Sequence, residues 1–384
     1  MKIVLITNSD QYEPRVEQIS ALLKDKHDVT VYVTDFVHGT KVYRKETKNK
    51  DFILFHAIGY KKNLSVHRLV SQWDFARRVM KECEKLNPDV IYCLVPANSF
   101  VYHAARYKKK HPAVKLVFDI IDMWPESFPI QKISWLPPFK IWKNIRNRYL
   151  NKAEIVVSEC RLFLDELGDA ARDVPSEVLY FAKKETETDK TPDLPDGELN
   201  LCYLGSVNNI IDIDFIAAMI KSIASLKKTT VHIIGNGERI NEFVTALKEA
   251  GAHVVNHGVI YDPDEKQKIF NKCHFGINAM RDWVAVGLTM KSVDYFDAAL
   301  PLLNNIKGDT TRFVNEYGAG YNVRYENMDE VAKSIVLLTN DELVEMRKAA
   351  LRVFRENLSS EIFNETFEKI TNILEKNDDK NIKQ

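Results

Sequence analysis

Short runs of consecutive apolar, often β-branched residues alternate with longer stretches of helical period from the start of the chain. KIVLIT at 2–7, DVTVYVT at 28–34, FILFHAI at 52–58, DVIYCLV at 89–95 and VKLVFDI at 114–120 read as strands, with helices predicted from about Tyr12, from about Leu69 and after Val95. Because these runs are apolar on successive residues and not on alternate ones, the strands are expected to be covered on both faces. That is the pattern of a parallel, doubly wound α/β sheet.

The rhythm then restarts. LNLCYLGS at 199–206, a helix at about 210–228, VHIIGNGE at 231–238, HVVNHGVI at 253–260, HFGINAM at 274–280, a helix from about Thr289 and LPLLNNI at 300–306 predict a second sheet of the same kind. Between the two series lies KKETETDKTPDLPDGE, where Leu194 is the sole aliphatic residue and two prolines and a glycine break any helix. The expected organisation is an N-terminal domain at 1–185, a linker at 186–198 and a C-terminal domain at 199–356. A closing helix at 357–376 is expected to cross back to the first domain, with a break near Asn357 to Ser360, and 377–384 to be a polar, frayed tail.

At 384 residues the chain is long enough for two cores, and 54 basic residues balance 54 acidic ones. No global field draws in nucleic acid. Five scattered cysteines without a CxxC pair predict a reduced, cytoplasmic protein. No apolar stretch approaches the roughly 18–20 residues that span a bilayer, and MKIVLITNSD is too short an apolar run for an export signal. One segment changes this picture: Gln131 to Lys152 interleaves six basic residues with Trp135, Phe139, Trp142 and Tyr149 and has no acidic residue. It suits either an anionic membrane surface or a core helix with snorkelling cations.

The candidate chemistry sits at strand ends. FDIIDMWPES at 118–127 crowds Asp119, Asp122, Trp124 and Glu126 behind an apolar strand. In the second half, Gly205 and Ser206, and Gly235 and Gly237 of GNGE, end strands where a backbone can approach a ligand closely. Gly287, Leu288 and Thr289 lead into a predicted helix whose free first-turn N–H groups suit a phosphate. Lys291 in that first turn opposes the helix dipole unless an anion binds nearby. Alternatively Lys291 and Asp294, three apart, form a surface pair worth roughly 0.2–0.5 kcal/mol. Neither a GxGxxG dinucleotide motif, a metal-ligand spacing nor a GxSxG elbow is present.

Two of these segments resemble one family. FDIIDMWPES resembles the D-x-x-D-x-W-P-E loop, and GLTMKSVDYFDAALPLLNN the donor motif, of bacterial glycosyltransferases similar to family four of the GT-B fold. The resemblance implies two Rossmann-like domains facing across a cleft and no metal or other cofactor. A nucleotide diphosphate sugar, a UDP-sugar, serves as co-substrate. It assigns the donor to Gly205, Ser206, Gly235, Gly237, Gly287, Leu288, Thr289 and Lys291, the ribose to Asp294, and the reacting sugar to Asp122. Asn98, Trp124 and Glu126 fall on the acceptor side, and Asp119 is left to cap or pair within the fold. The implied reaction is retaining transfer to a lipid-linked cell-surface glycan, such as capsule, exopolysaccharide or lipopolysaccharide. It would take place in the cytoplasm, with peripheral attachment to the inner face of the membrane.

The chain departs from that family where Val286 replaces the first of two acidic residues eight apart, and where GSVNNIID lacks a basic pair. A non-catalytic partner of an active transferase, or a sugar-nucleotide epimerase, are the competing readings.

Overall fold

A computed structural model describes residues 1–127 and 136–381, with side chains to residue 375. They form two compact units, Met1–Phe181 together with Asn364–Gln384, and Ala182–Phe363.

Unit 1 is built on strands β1 (Lys2–Thr7), β2 (Asp28–Thr34), β3 (Phe36–Val37), β4 (Val42–Tyr43), β5 (Ile53–Phe55), β6 (Val90–Val95), β7 (Lys115–Ile120), β8 (Ile155–Ser158) and β9 (Ser176–Val178). Its main sheet is parallel, in the order β5-β2-β1-β6-β7-β8-β9, while β3 and β4 pair as a separate hairpin. Helices α1 (Glu13–Lys24), α2 (Val66–Leu86), α3 (Asn98–Lys110), α4 (Pro137–Asn147) and α5 (Arg161–Leu167) connect the strands. Every residue of β6 and β7 is buried, as their unbroken apolar runs require of central strands. Ser65 starts α2 by accepting from the Arg68 N–H.

Unit 2 repeats the plan with β10 (Leu199–Leu204), β11 (Thr229–Ile234), β12 (His253–Gly258), β13 (Phe275–Asn278), β14 (Leu302–Asn304) and β15 (Gly320–Asn322). The order is β12-β11-β10-β13-β14-β15, again all parallel. Its helices are α6 (Ile213–Ala224), α7 (Ile240–Glu249), α8 (Pro263–Asn271), α9 (Met290–Asp297), α10 (Asp309–Tyr317), α11 (Met328–Leu337) and α12 (Asn340–Val353). In both units the first strand lies inside the sheet and the chain winds outward on either side of it. The strand order therefore reverses at β1/β6 and at β10/β13, and open α/β sheets hold ligands at the carboxyl ends beside such a reversal.

The final helix α13 (Ser360–Asn381) follows a π-turn at Phe354–Leu358, where the break was expected. The chain passes back into unit 1 within α13. There the Phe367 ring lies 6.4 Å from Tyr92, and Leu374 O accepts from Lys115 Nζ at 2.5 Å. The helix continues to Asn381, past the point where polar composition stops predicting it, and 382–384 lie outside the described residues.

The polar run before β10 packs on unit 2 through hydrogen bonds, which is why it needs no aliphatic residues. Asp297 accepts from Thr186 N at 3.0 Å, and Asn271 Nδ2 donates to Asp189 O at 2.7 Å. Sequence periodicity missed β8, β9 and the β3–β4 hairpin, which are two to four residues long and too short to establish a period. Among the described residues no helix is long and apolar enough to cross a membrane.

Candidate active site

In unit 2, β10 and β11 end in glycines that bring two loops together. Gly205 has φ 111° and Gly235 φ 152°, and a Cβ on Gly235 would stand 2.1 Å from Gly205 O. A Cβ on Gly237 would stand 2.3 Å from Val207 O. Only glycine permits both the dihedral and the approach. The two loops line a cavity of about 450 Å³, closed on a third side by Val259 and Ile260 after β12.

On the other side of β10, Thr289 caps α9, its Oγ1 accepting from Ser292 N at 3.1 Å and donating to Asn278 Oδ1 at 3.0 Å. Asn278 Nδ2 in turn reaches Ser292 Oγ and Asn304 Oδ1, both at 2.9 Å. This buried network joins the ends of β13 and β14 to the start of α9. Gly287 O accepts from both N and Oγ1 of Thr310 at 2.8 Å, fixing the turn before the helix, and Leu288 is buried beneath it.

Lys291 is the unusual group. Its Nζ is buried 4.7 Å from the centroid of the Tyr203 ring and has no hydrogen-bond partner among the described residues. Burial alone drives its pKa from 10.5 down to about 8. Tyr203 donates its hydroxyl to Ser206 O at 3.1 Å, so the same ring that carries the ammonium also supports the turn at Gly205 and Ser206. The first-turn N–H groups of Met290 and Lys291 make no hydrogen bond among the described residues. An uncompensated cation, free N–H groups and a glycine turn are thereby collected at one sheet reversal.

The surface pair between Lys291 and Asp294 does not form. Asp294 accepts instead from Lys183 Nζ at 2.8 Å, and the same nitrogen lies 2.9 Å from Asp297. Val286 is half-buried beside Asn305 and Ile306.

In unit 1, Asp119 is fully buried and held by Arg15 through two bonds of 2.8 and 2.9 Å and by the Tyr92 hydroxyl at 2.8 Å. It pairs within the fold, as the sequence left open. Asp122, half-buried in the loop beyond β7, has its carboxyl pKa raised by burial against the Ser127 hydrogen bond and the charge of Arg68. Asn98 is buried and spends its amide donating to Trp124 O at 3.0 Å and Trp142 O at 3.1 Å. Trp124 is buried edge to face with Trp142 at 5.8 Å, and Glu126 receives Arg146 at 2.6 Å and Lys143 at 3.3 Å. These three residues clamp α4 onto the loop that carries Asp122. Two of the aromatic and basic side chains of the 131–152 segment, Trp142 and Arg146, are thus used inside unit 1, while Lys140, Ile141 and Arg148 are exposed. Residues 131–135 lie outside the described residues.

Sequence reasoning missed Glu159. It follows β8, and its N–H donates to Ile120 O at 2.9 Å, so Glu159 and Asp122 leave adjacent strands almost side by side. Burial lifts its carboxyl pKa well above the usual range against the pull of Arg15, and Asp122 and Asp119 lift it further. Tyr12, in the short turn after β1, feels both carboxylates. The available signal was an acidic residue directly after the apolar run IVVS.

No protein-family profile and no curated protein matches the chain. Solved structures do. Anabaena HepE in complex with UDP and glucose is similar at 13% identity and TM-score 0.66, over 97% of this chain and 99% of that one. Sucrose-phosphate synthase from Thermosynechococcus elongatus is similar at 11% identity and TM-score 0.69, over the same shares. A trehalose-6-phosphate structure from E. coli bound with UDP-2-fluoro glucose is similar at 13% identity and TM-score 0.64, again over 97% and 99%. At these identities the likeness is one of fold, and it spans both units. The chain has the GT-B fold, with two doubly wound, Rossmann-like units in tandem.

Proposed function

We propose that the chain is a glycosyltransferase that moves a sugar from a nucleotide diphosphate sugar, a UDP-sugar, to a lipid-linked glycan acceptor of the cell-surface type, with retention. The observation that carries this reading is the buried, unpartnered ammonium of Lys291 beside the Gly205–Ser206 turn. Charge developing on a leaving nucleotide diphosphate is a large electrostatic demand of glycosyl transfer, and a cation fixed in advance away from water meets it with little reorganisation. The UDP and UDP-sugar bound in two of the structures of like fold support the choice of donor.

In this reading the free N–H groups at the start of α9 and the turn at Gly205 and Ser206 receive the phosphates. Gly235 and Gly237 keep the neighbouring cavity open. Asp122 contacts the reacting sugar and Glu159 lies next to the acceptor hydroxyl, both supplied by unit 1. The two motif segments support a family-four member. The exposed Lys140, Ile141 and Arg148 on α4 support attachment to an anionic membrane surface at the cytoplasmic face.

A second reading, a non-catalytic partner subunit, rests on Val286 in place of an acid and on Asp294 being engaged by Lys183. A panel of nucleotide sugars separates the two, read by release of nucleotide diphosphate and by calorimetric binding. Binding with turnover of one donor is expected. Absence of both binding and turnover overturns the transferase reading, and binding without turnover favours the partner.

A further inference from the structure

Three segments of unit 1 converge on Tyr60, in the loop between β5 and α2. Its hydroxyl lies 2.5 Å from His38 Nδ1, in the turn between β3 and β4. Lys41, which ends that turn, holds its Nζ 4.9 Å from the Tyr60 ring centroid, and the Arg68 guanidinium approaches the same ring at 5.9 Å. Two cations therefore share one aromatic ring.

Lys41 Nζ donates to neutral acceptors, the His38 carbonyl and Asn63 Oδ1, and makes no ion pair among the described residues. Burial and then the charge of Arg68 depress its pKa, and burial, Arg68 and Lys41 together push the His38 imidazole to about 4. One carboxylate faces the group: Asp10, which accepts from His38 N at 2.8 Å and pulls both values the other way. Lys41 also has φ 62°, a left-handed conformation unfavourable for a residue with a side chain, and its N–H is held by Val37 O at 2.9 Å. The chain is therefore bent so that a second cation faces the first. Half-buried like charges set together with a single carboxylate fit an anion as their missing partner.

We propose that Lys41, Arg68, Tyr60 and Asn63 form a subsite for an anionic group, phosphate or carboxylate, on the glycan acceptor. The subsite belongs to the acceptor side because Arg68 also lies 5.3 Å from the Trp124 ring and its charge reaches Asp122. Describing the ligand as an acceptor rests on the transferase reading, whereas anion binding does not.

The test titrates glucose, glucose 6-phosphate and glucuronate calorimetrically into the full chain carrying Lys291→Met, which removes the other unpartnered cation, with and without Lys41→Met or Lys41→Arg. UDP is titrated separately into chains with Lys291 intact. One or both anionic sugars are expected to bind at least about tenfold tighter than glucose. Lys41→Met is expected to remove that advantage, Lys41→Arg to keep most of it, and UDP affinity to be the same in all. The preferred anion tells a phosphorylated acceptor from an acidic sugar. Equal binding of the three sugars, or an advantage that survives Lys41→Met, overturns the subsite. Failure of UDP to bind while the Lys41-dependent preference persists overturns the transferase reading and leaves the subsite standing.

Discussion

Replacing Lys291 with Met keeps most of the aliphatic stem over Tyr203 and removes the charge. In the unliganded protein that charge is a burden. A pKa lowered from 10.5 to about 8 corresponds to about 3 kcal/mol of unfavourable burial of the ammonium at neutral pH. The variant should therefore be more stable without ligand, by up to that amount. The sign follows from proton binding: between pH 8 and 10.5 the unfolded chain holds more protons at Lys291 than the folded chain, so wild-type stability gains from this group as pH rises through that window. The variant lacks that gain.

Nucleotide binding should move the other way. A diphosphate that pairs with the ammonium restores its charged form, so Lys291→Met should lose on the order of 10²-fold in UDP affinity and little for uridine. Calorimetry at pH 8 in buffers of different ionisation enthalpy should show wild type taking up about half a proton on binding UDP, since Lys291 is then about half protonated when free. The variant should take up none at this group. Equal losses for UDP and uridine, or a variant less stable than wild type at neutral pH, would refute the assignment.

Other outcomes follow from the same reasoning. Glu159→Gln should remove a carboxyl whose raised pKa makes wild type lose stability as pH rises from the unfolded value through the folded one. Melting temperatures at pH 5 and pH 8 should then differ less in the variant than in wild type, while transfer falls and UDP affinity holds. Gly235→Ala places a methyl 2.1 Å from Gly205 O, and should lower the melting temperature and abolish donor binding together. Thr289→Val removes the α9 cap and the bond to Asn278, at a cost of about 1–2 kcal/mol measured by denaturant unfolding. Asp119→Asn leaves Arg15 buried without its charge partner and should cost about 3–5 kcal/mol by the same measurement.

The central strands of both sheets were legible because apolar runs covered on both faces have a local signature. The glycines and Lys291 were legible for a similar reason: strand end, turn and helix start adjoin in the sequence. What was not legible depends on distance along the chain. Asp294 looked free to bind a ribose because Lys183, which holds it, lies 111 positions earlier. The unit 1 cluster draws Tyr12, Arg68, Asp122 and Glu159 from four separate segments, and Glu159 becomes notable only once β8, four residues long, is seen to run beside β7. Trp124, Asn98 and Glu126 show the converse. Their side-chain chemistry suggested ligand contact, and packing engages them in holding α4.

Helix α13 begins in unit 2 and ends in unit 1, so the first unit is not continuous in sequence. A ribosome delivers its last piece only after the whole of unit 2 has emerged. Unit 2 can complete its core while the earlier unit still lacks Phe367 against Tyr92 and the Leu374 carbonyl for Lys115. A chain cut before Asn364 would hold a finished second unit and an unfinished first one. Any defect in the last twenty or so residues would therefore register on the acceptor side, at the opposite end of the sequence.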